Sequence, residues 1–149
     1  MTAEQIHWPM QFSPANSAIH VVNSAVVNGS PEVIWEKLID AHAWPQWYAN
    51  AHDVRIDGAS RLGPGVPFRW RSFGVSLVSR IEEWVPQQRL AWTAFGSGIS
   101  CYHAWLIEPL EHGCRVRTEE TQNGLVARLG RIIFPGRMER WHQRWLEAF

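Results

Sequence analysis

The sequence has two cysteines, no excess of either charge and no long apolar run, and each shortage excludes a class of protein. Lysine and arginine total 14, as do aspartate and glutamate, so a general electrostatic attraction to nucleic acid is not expected. No apolar segment approaches the length of a membrane span, and the first eight residues lack the basic and apolar regions of a secretory signal. The two cysteines are predicted to be free thiols that do not form a disulfide. We therefore expect a cytoplasmic protein that binds no nucleic acid and has no transmembrane segment.

Motifs for metal, phosphate and nucleophile chemistry are also missing. The seven histidines occur without paired helical or strand spacing, which predicts no metal site. No glycine-rich phosphate loop, Gly-x-Ser-x-Gly elbow or Ser-x-x-Lys pair is found, so no cofactor is implied.

Ten tryptophans stand out in this chain of 149 residues, which is long enough to bury one sizeable core. An opening strand is predicted near 18–28, followed by short helices near 31–40 and 45–49 and a strand near 52–57. Ser30 is a natural N-cap residue and Pro31 fits the first helical position. Five further strands are predicted near 66–72, 75–85, 89–96, 99–108 and 113–121. Residues 1–17 show no pattern and are predicted to be an extended or mobile lead-in to a single domain over 18–149.

Three motifs carry a resemblance to a known superfamily: Ser-Pro-Glu-Val-Ile-Trp after the first strand, Trp44-Pro45-Gln46-Trp47, and Pro-Gln-Gln-Arg-Leu-Ala-Trp at 86–92. Together they resemble the helix-grip (SRPBCC) superfamily of START lipid-transfer domains, Bet v 1-like proteins and polyketide cyclases/dehydrases. The resemblance implies an α+β fold in which a curved antiparallel sheet of about seven strands wraps around a long C-terminal helix. It also implies an apolar ligand under that helix, with catalysis in only some members.

Hairpin register can be derived from the short breaks between the strands. Two-residue loops at Phe73-Gly74, Gln87-Gln88 and Ser97-Gly98, with a turn near Leu110, sort the strands into an apolar face and a charged face. His103 then lies opposite Trp92 and Thr118, with Glu120 diagonal to it. Trp84, Phe95 and Tyr102 fall on the charged, outward face.

The C-terminal segment has helical period and can cover the apolar face. Its apolar stripe is predicted to comprise Leu125, Leu129, Ile132, Ile133, Met138, Trp141, Trp145 and Phe149 (or Leu146). Pro135-Gly136 is expected to kink or interrupt this helix. Five arginines make its polar side basic, which indicates either a solvated face or a peripheral contact with a membrane or a protein.

Bulky indoles on the inward face are expected to leave a cavity, or alternatively to form simple core. The predicted ligand-binding residues are Phe68, Trp70, Leu77, Ser79, Trp92, His103, Trp105, Thr118 and Trp141. The first hypothesis is a carrier or sensor of a hydrophobic small molecule that is lipid-like, polyketide-like or aromatic. The alternative is a cyclase/dehydratase-type enzyme in which His103 and Glu120 are catalytic. The same two residues could instead form a purely structural hydrogen bond in the core.

Overall fold

A computed structural model describes residues 5–149 and shows seven strands and four α-helices. The strands are β1 (Ile19–Val27), β2 (His52–Ile56), β3 (Pro67–Ser72), β4 (Val75–Val85), β5 (Arg89–Gly96), β6 (Ile99–Pro109) and β7 (Cys114–Asn123). The helices are α1 (Pro31–Ile39), α2 (Trp44–Trp47), α3 (Leu125–Ile133) and α4 (Arg137–Glu147). The strands form one antiparallel sheet in the order β1-β7-β6-β5-β4-β3-β2. The predicted seven-stranded α+β fold is confirmed.

The two short helices after β1 begin where the sequence predicts. Ser30 caps α1 because its hydroxyl accepts a hydrogen bond from the backbone N–H of Val33 at 3.3 Å. Pro45 lies in the first turn of α2, where its missing N–H costs nothing. The indole N–H of Trp44 donates to the carbonyl of Leu38 at 3.0 Å, which satisfies the ring nitrogen inside the core.

The β4–β5 pairing differs from the prediction. The loop has three residues, 86–88, with Gln87 in the left-handed region at a φ of 64°, so Val85 pairs with Arg89. A β-bulge between Ile81 and Glu83 then inserts one extra residue. The bulge turns Trp84 to the inner face, where its ring lies 4.8 Å from that of Trp35. The outward placement predicted for Trp84 was therefore wrong.

The β6–β7 pairing is displaced by two residues from the predicted register, which leaves every side chain on its predicted face. The turn centres one residue further along, and Gly113 occupies a left-handed conformation at a φ of 81°. A Cβ at Gly113 would lie 2.4 Å from the carbonyl oxygen of Val27, so glycine is required at that position. As a result His103 pairs directly with Glu120, and Thr118, predicted opposite His103, pairs with Trp105.

The described part of the N-terminal lead-in, residues 5–17, packs on the outer face of the sheet. It contains two 3-10 turns, at Met10–Phe12 and Pro14–Asn16. Ile6 and Phe12 are buried against outward side chains of β5 and β6, including Tyr102. The N-terminal segment therefore covers the centre of the face that was predicted to be charged. The prediction for residues 1–4 lies outside the described residues.

The C-terminal segment is two helices, since residues 134–136 interrupt it at the predicted Pro135-Gly136 step. Helix α4 packs on the inner face and buries Met138, His142, Trp145 and Leu146. Within the described helix α3, Ala127 alone is buried, and five of its apolar residues are exposed: Leu125, Val126, Leu129, Ile132 and Ile133. The predicted covering stripe is therefore correct for α4 and wrong for α3.

Candidate functional site

Five tryptophans fill most of the space between the sheet and α4. The ring of Trp44 lies between 5.2 and 5.4 Å from those of Trp70, Trp92 and Trp145. Trp105 completes the group at 4.9 Å from Trp145. Trp44, which enters from α2, was not among the predicted ligand-binding residues. Its insertion explains why the indoles mesh as core instead of walling a large cavity.

A small inner cavity remains beside this cluster, with a volume of about 40 Å³. That volume exceeds what one water molecule needs and is far below that of a drug-sized ligand. Four of the predicted ligand-binding residues border it: Trp70, Leu77, Trp92 and His103.

The other predicted ligand-binding residues lie elsewhere in the core. Phe68, Ser79, Trp105 and Thr118 are buried, and Ser79 accepts a hydrogen bond from the indole of Trp70 at 3.1 Å. Trp141 is partly buried beside Tyr48, with the Arg144 guanidinium 4.7 Å above its ring.

Three buried ionisable side chains converge on the inner cavity. Nδ1 of His103, on β6, lies 3.0 Å from Oε1 of Glu120, on β7. Nε2 of His142, on α4, lies 3.8 Å from the same carboxylate oxygen, and the two imidazoles stack with centroids 4.9 Å apart. We name these residues the His-Glu-His cluster. The sequence predicted the pair His103 and Glu120, and the helix adds His142.

Hydrogen bonds around the His-Glu-His cluster hold its side chains in place. The Thr118 hydroxyl oxygen lies 2.6 Å from Nε2 of His103 and 3.1 Å from the carbonyl oxygen of Ala104. Nδ1 of His103 faces the carboxylate, without the alignment of a hydrogen bond. The second carboxylate oxygen of Glu120 accepts from the amide of Gln122.

The electrostatics of the cluster follow from burial and mutual attraction. Burial raises the pKa of Glu120, but His103, His142 and the Gln122 amide outweigh it and hold that pKa below the usual range. Burial lowers the pKa of His142 to about 4, against the opposing attraction of Glu120. His142 is therefore a neutral imidazole at physiological pH, and Nδ1 of its ring has no hydrogen-bond partner within residues 5–149.

A larger apolar groove lies between α3 and the open end of the sheet, with a volume of about 340 Å³. Its floor and sides are mainly aliphatic and aromatic: Val75, Ile99, Val126, Ala127, Leu129, Ile133, Phe134 and Met138. Four residues, Phe73, Val75, Ile99 and Gln122, border both the groove and the inner cavity. The groove therefore adjoins the space that the His-Glu-His cluster faces.

Arg137 crosses the mouth of the groove. Its guanidinium lies 4.9 Å from the ring centroid of Phe73, on the β3–β4 turn, and 4.4 Å from that of Phe134. Phe73 itself has a φ of 51°, which a bulky residue rarely adopts. These three side chains join the tip of the sheet to the junction of α3 and α4.

A seven-stranded antiparallel sheet closed by a C-terminal helix, with an apolar groove at its open end, defines the helix-grip class of ligand-binding and catalytic proteins. The chain belongs to the family described as polyketide cyclase / dehydrase and lipid transport, whose profile matches residues 18–148. No match was found among curated proteins.

Solved structures share the fold. The hypothetical protein jhp0584 from Helicobacter pylori is 28% identical, with a TM-score of 0.89 over 99% of this chain and 95% of that one. The Zhui aromatase/cyclase from Streptomyces sp. R1128 is 17% identical, with a TM-score of 0.71 over 87% and 90% of the two chains. A START superfamily protein from Mycobacterium smegmatis is 14% identical, with a TM-score of 0.64 over 86% and 97%. The last two likenesses concern the fold alone.

Sequence reasoning missed His142, Trp44 and Arg137. A signal for His142 was present, because it lies four residues after Met138 and three before Trp145 and so falls in the buried stripe of α4. Arg137 had no such signal, because Phe73 is distant in sequence and Arg137 was grouped with the basic face. Among the described helices, none has the length and apolar character needed to cross a membrane.

Proposed function

We propose that the protein binds a hydrophobic small molecule, lipid-like, polyketide-like or aromatic, in the groove between α3 and the sheet. The groove carries this proposal because its 340 Å³ falls within the range of small-molecule sites and its lining is mostly apolar. The predicted location deeper inside, among the indoles, offers only about 40 Å³. A ligand therefore lies mainly against α3 and directs one end toward Gln122 and the His-Glu-His cluster.

Family membership supports this class of ligand without naming one. The family description joins cyclases and dehydrases with lipid transport, and all of these handle molecules with a large apolar part. Arg137 at the groove mouth adds a cation that can pair with a carboxylate or phosphate on the ligand. An amphiphile with an apolar tail and one anionic group matches both features.

A matched pair of variants on α3 tests the groove. Leu129 lines the groove and is 45% exposed, whereas Leu125 lies outside it on the same helix and is 69% exposed. Leu129→Glu should weaken binding of cis-parinaric acid at least tenfold, because it introduces a carboxylate into the apolar lining. Leu125→Glu adds the same charge and should bind as the wild type does. Equal affinities for the two variants, or no saturable binding by the wild type, would remove the proposal.

The second candidate function is catalysis of the cyclase/dehydratase type, favoured by the 3.0 Å contact between His103 and Glu120. His103 and Glu120 both border the inner cavity, so the pair can take a proton next to a carbonyl through the carboxylate and return it to a leaving hydroxyl. His103→Ala should then abolish turnover of a β-ketothioester while leaving its binding nearly intact. Unchanged turnover in this variant would leave the pair with a structural role.

The exposed side of α3 suggests how an apolar ligand arrives. Leu125 and Ile132 are exposed on α3 outside the groove, close in sequence to Arg128 and Arg131, and Arg131 also pairs with Glu139 of α4. We propose that this side docks on an anionic membrane surface, with these two apolar side chains entering the interface and the arginines meeting headgroups. Docking of this kind weakens at high salt, and salt-independent association would contradict it.

A further inference from the structure

We propose that His103, Glu120 and His142 form a three-ligand site for a divalent transition-metal ion, with the remaining coordination position facing the inner cavity. Each residue offers one ligand atom, and these atoms lie within 4.8 Å of one another. Two imidazoles and one carboxylate are a ligand set typical of zinc and of non-haem iron. The inference does not depend on which molecule occupies the groove.

The first argument is the convergence of three ligand atoms. Nδ1 of His103 lies 3.0 Å from Oε1 of Glu120 without the alignment of a hydrogen bond, and Nε2 of His142 lies 3.8 Å from the same oxygen. A shared proton can link only two of these three atoms. A metal ion would bind all three at once.

The second argument is the set of groups behind the ligands. Histidine ligands of metals generally donate their other ring N–H to an oxygen, and the Thr118 hydroxyl oxygen lies 2.6 Å from Nε2 of His103, where it can accept that hydrogen bond. Ligating carboxylates are likewise held by hydrogen bonds, as Glu120 is by Gln122.

The third argument is space. Ligand atoms around a tetrahedral zinc ion are roughly 3.4 Å apart, so the three side chains must move together by about 1 Å to close on an ion. The inner cavity of about 40 Å³ can hold the water that would complete such a site. Three protein ligands plus water is the arrangement of a reactive metal centre, in contrast to the four protein ligands of a structural one.

Cobalt titration of chelator-treated wild-type protein tests the proposal with the metal alone. We expect one Co²⁺ per chain with visible absorption bands of a low-coordinate ion, and displacement of Co²⁺ by Zn²⁺. His142→Asn and Glu120→Gln should abolish these bands. Thr118→Val should lower the affinity ten- to a hundredfold, because it removes only the hydrogen bond behind His103. His112→Asn, at an exposed histidine in the β6–β7 turn, should bind as the wild type does.

The outcomes separate the alternatives. Absence of the bands in the wild type would overturn the metal site and leave a proton shared by His103 and Glu120. Bands that persist in His142→Asn, or that disappear in His112→Asn, would also overturn it, because the ion would then lie elsewhere. If a ligand variant fails to fold, a rise in the melting temperature of the wild type with Zn²⁺ that is smaller in Thr118→Val and unchanged in His112→Asn at the same Zn²⁺ concentration supports the site, and equal rises in all three proteins would overturn it. Loss of parinaric acid binding in Leu129→Glu tests the groove separately.

Discussion

The two C-terminal helices differ in how they use their apolar residues. Helix α4 buries its apolar side against the sheet, where Trp145 contacts Trp44, Trp70, Trp92 and Trp105. Helix α3 has a comparable apolar content, yet Leu125 and Ile132 are exposed to solvent outside the groove. Burial of apolar area is the main source of folding free energy, so α4 contributes to stability and α3 contributes little. Exposed apolar surface that does not stabilise the fold indicates a binding surface.

Replacing one large residue in each helix should give the strongest contrast. Trp145→Ala should lower the free energy of unfolding by about 3–5 kcal/mol, because it leaves a large void among the indoles. Ile132→Ala, at a residue that is 75% exposed, should change it by less than about 0.5 kcal/mol. Urea unfolding measured by circular dichroism gives both values. A destabilisation above 2 kcal/mol for Ile132→Ala would show that α3 is packed more tightly than the structure has it.

Acid should destabilise the metal-free protein through α4. Burial lowers the pKa of His142 from 6.5 to about 4 in the folded chain. Between pH 6.5 and pH 4, His142 is therefore protonated in the unfolded chain and neutral in the folded chain. Stability is therefore intact above about pH 6.5 and falls as the pH drops toward 4, by an amount on the order of 3 kcal/mol. The lowered pKa of Glu120 acts in the same direction at still lower pH.

A pH series of urea unfolding checks this expectation, with a chelator present throughout. His142→Asn should lose most of the decline between pH 6.5 and 4, whereas His112→Asn should keep it. A decline of equal size in both variants would assign the acid sensitivity to another group.

The strands were predictable from the sequence to within two residues because each hairpin break carries glycine or proline and each strand alternates. The start of α1 at Ser30 and the interruption at Pro135-Gly136 were equally predictable, because each depends on residues at that position in the sequence. The bulge between Ile81 and Glu83 was not predictable, since two facing strands must be compared before an extra residue can be seen. Its effect was to move Trp84 inside.

The candidate site was half predictable. His103 and Glu120 lie on the same face of the sheet, on neighbouring strands. A two-residue error in register leaves every side chain on its predicted face, so their proximity was correctly inferred. The space among the indoles is smaller than the expected cavity, at about 40 Å³, because strand patterns do not show how far Trp44 and Trp145 enter from the helices. Helix α3 was predicted to be buried because its apolar spacing is the same whether a helix covers a core or binds something else.

Membrane binding should depend on the exposed apolar residues of α3. Leu125→Ser combined with Ile132→Ser, both outside the groove, should reduce binding to phosphatidylglycerol-containing vesicles about tenfold or more, because each apolar side chain that enters an interface contributes on the order of 1 kcal/mol or more. Val22→Ser combined with Val26→Ser removes two exposed residues of β1 and serves as the control. Vesicle flotation at low and high salt measures the difference. Equal losses in the two double variants would mean that α3 is not the docking surface.

The smallest expected change is at Arg137, where α3 and α4 meet. Its guanidinium lies over Phe73 and Phe134, and each such contact at an accessible site contributes roughly 0.5–1 kcal/mol. Arg137→Gln should therefore lower the free energy of unfolding by about 1 kcal/mol and accelerate both entry and release of parinaric acid, because the groove mouth loses its bridge. Stopped-flow fluorescence measures the two rates, and Arg140→Gln, an exposed change on the same helix, is the control. If only the release rate rises, Arg137 holds the anionic end of the ligand. If both rates rise together with little change in affinity, Arg137 controls access to the groove. Unchanged rates would limit the role of Arg137 to packing the turn between the helices.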